Sequence, residues 1–205
     1  MSTTFTIQPG QFKLADLRAI WQKPFKLALA ESAYTAINES SATIDRIVAK
    51  GDAAYGINTG FGKLAKTRIP DEDLELLQKN LILSHSVGSG ELISDEVVRL
   101  IIAMKIASLA RGFSGIRASV IDTMIAAYNA GIMPAIPVKG SVGASGDLAP
   151  LSHMTLAIMG EGQVRVDGKM VDAKTALANA GITPVVLAAK EGLALINGRS
   201  EERRV

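Results

Sequence analysis

The segment Lys139-Gly140-Ser141-Val142-Gly143-Ala144-Ser145-Gly146-Asp147-Leu148-Ala149-Pro150 decides how this chain is read. Its glycines, with Pro134 and Pro137 just ahead, stop either a helix or a central strand from continuing between Ile132 and Gly146. Asp147 is placed to cap a helix running to about Met159. Familiar loop chemistries do not fit. A phosphate loop needs a following Gly-Lys-Ser/Thr, and a dinucleotide turn needs an uninterrupted strand before it. A serine-hydrolase elbow needs glycine two residues after the serine, where Asp147 stands. A glycine-rich turn ahead of a helix is the plain alternative. Against it stands Ala144-Ser145-Gly146, whose small flanks let the backbone fold back so that the Gly146 nitrogen attacks the Ala144 carbonyl carbon. Loss of water from the ring and from the Ser145 side chain then leaves an exocyclic methylidene, an electrophile made wholly from the chain.

Outward from this loop, helical periodicity dominates and the expected class is mainly α. Helices are expected over about Leu14 to Trp21, Leu27 to Lys50, and from Pro70 through His85. In the last of these, Leu74, Leu77, Leu81 and His85 share one stripe. A further helix follows the N-cap Ser94, with Val97, Val98, Ile101 and Ile102 as its buried face, and another spans about Arg117 to Ala130. Asp167-Gly168 between Val166 and Met170 predicts a small β-hairpin with a type I′ turn, and Asp172 predicts the cap of a helix ending at Gly181. Tyr55-Gly56-Ile57-Asn58-Thr59-Gly60-Phe61-Gly62 reads as an ordered loop.

Composition narrows the chemistry. The chain has 205 residues, 48% of them hydrophobic, with 22 basic against 20 acidic side chains, no cysteine and two histidines. A net charge of +2 gives no case for nucleic acid, and no apolar run is long enough to span a membrane. Thiol nucleophiles, disulfides and Cys-based metal sites are excluded, a metal site is not expected, and a cytoplasmic setting is.

Three separated blocks, YGINTGFG at 55–62, GSVGASGDLAPLSHM at 140–154 and LALING at 193–198, resemble in their order the ammonia-lyase family that carries the 4-methylideneimidazol-5-one (MIO) prosthetic group. The resemblance implies the N-terminal, MIO-bearing helical domain of the ammonia-lyase (fumarase/aspartase-like) fold. It implies that Ala144, Ser145 and Gly146 form MIO autocatalytically, with Asp147 supporting the cyclisation, and that no metal or external cofactor is needed. Tyr55 matches the family's catalytic tyrosine. Asn197 matches an asparagine beside the prosthetic group and substrate, and Gly62 is taken as a substrate-side residue of the glycine-rich loop. Ser84-His85 resembles the histidine-using members, so the implied reaction is elimination of ammonia from L-histidine to give trans-urocanate. A tyrosine or phenylalanine ammonia-lyase, an aminomutase, or a noncatalytic helical fragment that binds intact subunits are the alternatives. The single remaining histidine, His153, is expected to pack behind the loop.

After Gly198 the family pattern breaks, and Arg199-Ser200-Glu201-Glu202-Arg203-Arg204-Val205 reads as a charged non-family tail. Residues 1–198 are therefore expected to be the MIO-bearing portion of a longer lyase, without the central helical bundle through which the family builds homotetramers. Such a portion by itself is expected to be poorly active.

Overall fold

The computed structural model describes residues 4–141 and 148–198. Ala144, Ser145, Gly146 and Asp147 lie outside the described residues, as does the charged tail.

The chain opens with a strand, β1 (Thr4–Ile7), then helix α1 (Leu14–Gln22) and strand β2 (Lys26–Leu29). β1 and β2 pair in parallel, with Phe5 opposite Leu27. This corrects the expected helix from Leu27, which begins only at α2 (Ala33–Lys50). Pairing across the chain overrides local propensity here. The Leu27 N–H donates to the Asn129 side chain and its carbonyl accepts from the same amide, so the strand is held from both sides. Gly51, at φ 81, ends α2.

A short 3-10 turn at Asp71–Asp73 leads into α3 (Leu74–His85), followed by β3 (Ser89–Leu92), α4 (Asp95–Leu109) and α5 (Ala118–Asn129). Ser94 stands at the N-cap of α4, but its side chain makes no capping bond. Val97 is exposed rather than buried, because the inward stripe of α4 runs through Val98, Ile102, Ile106 and Leu109 and Val97 sits one residue off it. Between α5 and the glycine-rich loop lie two short strands, β4 (Met133–Pro134) and β5 (Pro137–Lys139), and after the loop comes α6 (Leu148–Met159).

The hairpin forms as expected from β6 (Gln163–Val166) and β7 (Lys169–Asp172). Asp167 and Gly168 both take positive φ, which is the type I′ requirement. β4 extends this hairpin into a three-stranded sheet, while β3 pairs with β5 separately. Helix α7 (Ala173–Asn179) is capped by the Asp172 carboxylate, which accepts from the Thr175 N–H. The last described helix is α8 (Glu191–Ile196). The fold is thus predominantly helical. Its core runs from Ile7, Ile20 and Ile37 through Ile102, Ile106 and Ile121 to Leu177 and Leu195. Helix α6 packs on α3, α7 and α8, which sets the helix leaving the glycine-rich loop at the centre of the molecule.

Candidate active site

The two described shoulders of the glycine-rich loop meet each other. A methyl group placed on Gly140 would lie 3.1 Å from the Gly88 Cα and 3.2 Å from the Ala149 Cβ. Chain entering the loop, chain leaving it, and the segment just after α3 therefore converge on one spot where a side chain would press its neighbours apart by a few tenths of an ångström. His153, one helical turn into α6, completes this contact: its Nε2 accepts the Gly88 N–H at 3.0 Å. Burial holds its pKa below the ordinary imidazole value, which suits a ring used as an acceptor.

His85 ends α3 and is half-buried. Its Nδ1 donates to the Leu81 carbonyl at 2.8 Å, since a carbonyl can only accept, and the Ser84 hydroxyl lies 3.2 Å from the same nitrogen. In the neutral ring this leaves Nε2 as an acceptor.

The Tyr55 loop is ordered from within. Asn58, fully buried, accepts the Ala54 N–H and donates to the Asp52 carbonyl, and its own carbonyl accepts from Ile69. Tyr55 itself is 63% exposed and meets Phe61 edge to face at 6.1 Å. Gly62 lies at the surface and starts a 3-10 turn, Gly62–Leu64. The loop is fastened to α8 at Gly56, whose missing methyl would fall 2.6 Å from a Leu193 methyl at a φ of +75. A side chain there would have to displace the Leu193 methyl and adopt a left-handed φ that strains any residue but glycine.

Helix α8 carries Asn197 at its end. The Asn197 Nδ2 donates to the Leu193 carbonyl at 2.9 Å, and the Lys105 Nζ donates to the Asn197 carbonyl at 2.7 Å. At the other end, buried Glu191 accepts from the Arg117 N–H, Nε and Nη2 and from the Ala188 N–H. Gly192 donates to the side chain of buried Gln78, which joins α8 to the middle of α3. The elements bearing Tyr55, His85 and Asn197, and the loop's shoulders, thus form one contiguous assembly of α3, α6, α8 and the 55–62 loop. Tyr55 and His85 make no hydrogen bond to each other.

Lys105, Glu191, Arg117 and Gln78 were not singled out from the sequence. Lys105 had a signal: it falls on the α4 stripe between Ile102 and Leu109, where a charge interrupts the apolar run. The Arg117–Glu191 contact spans 74 residues and had none. Among the described residues no group of three His, Asp or Glu side chains could hold a metal ion, and no helix is long and apolar enough to cross a membrane.

Residues 12–201 match the family described as aromatic amino acid lyase, and the chain belongs to that family. Among curated proteins it is 59% identical over 195 residues, 95% of the chain, to histidine ammonia-lyase of Salmonella paratyphi B. It spans 38% of the length of that relative. Among solved structures it resembles histidine ammonia-lyase from Trypanosoma cruzi, with a TM-score of 0.87, 39% identity, 96% of this chain covered and 38% of that one. Tyrosine aminomutase from Streptomyces globisporus is similarly close in shape, with a TM-score of 0.87 and 32% identity over 97% of this chain and 37% of that one. Shape alone therefore does not separate the substrates of these relatives.

Proposed function

We propose that residues 1–198 form the electrophile-bearing portion of an ammonia-lyase that eliminates ammonia from L-histidine to give trans-urocanate. The observation that carries this reading is the 59% identity to a histidine ammonia-lyase along 95% of the chain; among structures of equal similarity, identity is likewise higher to the Trypanosoma cruzi histidine ammonia-lyase, at 39%, than to the aminomutase, at 32%. Ala144, Ser145 and Gly146 would form MIO, with Asp147 assisting. The described residues that flank this segment, Gly140 and Ala149, lie close together, a methyl on Gly140 falling 3.2 Å from the Ala149 Cβ, which supports a compact placement of the group between α3 and α6. The group supplies an electrophilic carbon that makes ammonia a competent leaving group.

The chain's own side chains have distinct tasks in this reading. His85, with Nδ1 tethered to Leu81, presents Nε2 to an N–H of the substrate imidazole, and a site built around that bond rejects a ring with no polar atom. Tyr55, exposed beside Gly56, moves a proton at its Oη near the substrate β-carbon. Asn197 provides a carboxamide beside the reacting amine, and Gly62 keeps the loop's rim free of a side chain. A homotetramer and a cytoplasmic setting follow the same family reading.

A hybrid tests the substrate directly. Residues 12–198 exchanged for the matching segment of the Salmonella histidine ammonia-lyase are expected to support urocanate formation. His85→Phe in that hybrid shifts preference toward phenylalanine or tyrosine. Deamination of phenylalanine or tyrosine, and not histidine, by the unmutated hybrid overturns the assignment.

A further inference from the structure

Lys105 is a charge in the wrong place for stability alone. It lies on the inward side of α4 beside Ile102, Ile106 and Leu109 and is 7% exposed. None of the ion pairs among the described residues includes it. With no counter-charge beside it among the described residues, burial lowers its pKa to about 8. A buried, unpaired ammonium opposes folding, and an apolar side chain of similar length is ordinarily the more stable choice. Its visible return is local. The Nζ donates at 2.7 Å to the carbonyl of Asn197, the residue at which α8 ends and the backbone turns to φ −71, ψ 119. Asn197 is also bound from within, its N–H and its Nδ2 both donating to the Leu193 carbonyl. A cation at a helix C-terminus is favourable in its own right, and here it also supplies a donor to a carbonyl that the helix leaves unpaired.

We propose that Lys105 is a positioning residue, which clamps the backbone at the end of α8 and thereby fixes the orientation of the Asn197 carboxamide in the candidate site. The proposal rests on the reading of Asn197 as a site residue. Without the clamp, the Asn197 carbonyl loses the charged donor that α4 supplies, the turn rotates, and the carboxamide rotates with it.

The test compares the native chain with Lys105→Met and Lys105→Arg by amide NMR and thermal unfolding. The Asn197 side-chain amide pair is identified by its disappearance in Asn197→Asp. In Lys105→Met the pair is expected to move toward the position of a solvent-exposed asparagine, with exchange about tenfold faster, while the unfolding temperature does not fall. Lys105→Arg, which keeps a charged donor, restores the native signals. Unchanged Asn197 signals in Lys105→Met overturn the proposal. So does a Lys105→Met chain that unfolds or loses native signals throughout, which makes Lys105 a scaffold residue, and so does an arginine variant whose Asn197 signals stay displaced. Because the readout needs no turnover, failure of the lyase reading appears separately, as a hybrid that makes no urocanate.

Discussion

The His153 imidazole accepts the Gly88 N–H only while Nε2 is unprotonated. Burial lowers its folded pKa below the ordinary value of 6.5, so below that pH the unfolded chain takes up a proton that the folded chain resists. The stability this group contributes is therefore complete above pH 6.5 and is lost as pH falls from there through the lowered folded value. Denaturant midpoints measured from about pH 7 down to about pH 5 should fall more steeply for the native chain than for His153→Gln. Equal slopes would remove His153 from this role. The sequence placed His153 in the packing behind the loop, and the structure adds its partner. Gly88 had no signal in the sequence, because the crowding around its Cα arises from Pro137 and His153 arriving together.

At the scale of elements, the legible features were those whose causes lie within a few residues. The Asp167-Gly168 turn, the Asp172 cap and the Gly51 stop are each set by local backbone chemistry. Strand β2 was misread as helix because Leu27, Ala28 and Leu29 suit either state, and their partners are twenty-two residues earlier in β1 and a hundred residues later at Asn129. Helix α8 has only six residues and depends on its anchors, above all Glu191. Glu191→Ala should cost about 2 kcal/mol, because it takes a buried carboxylate from the part-buried N–H groups of Arg117 and Ala188 and from the guanidinium, which keeps its bond to the Val186 carbonyl. Asp172→Ala, which removes one exposed cap, should cost about 1 kcal/mol. Thermal unfolding of the two variants side by side checks the ranking. Similar losses would show that Glu191 is not the anchor of α8.

Across the whole molecule, three blocks far apart in sequence are gathered on one helical assembly. The 55–62 loop reaches α8 through Gly56 and Leu193, α8 reaches α3 through Gly192 and Gln78, and α6 joins both. The block order made this grouping legible, but not the contacts that enforce it, since each depends on a close approach between distant residues. Around the same assembly Tyr55, Leu64, Val87 and Val138 remain well exposed. Here the chain spans 38% of the length of its curated relative. In the reading proposed here, this stretch holds what is needed to make its own electrophile. The most direct measurement is the intact mass of the purified chain and of Ser145→Ala. The native mass is expected to be short by two waters, with that deficit absent in Ser145→Ala. A native chain at its full unmodified mass, indistinguishable in this respect from the variant, would contradict it.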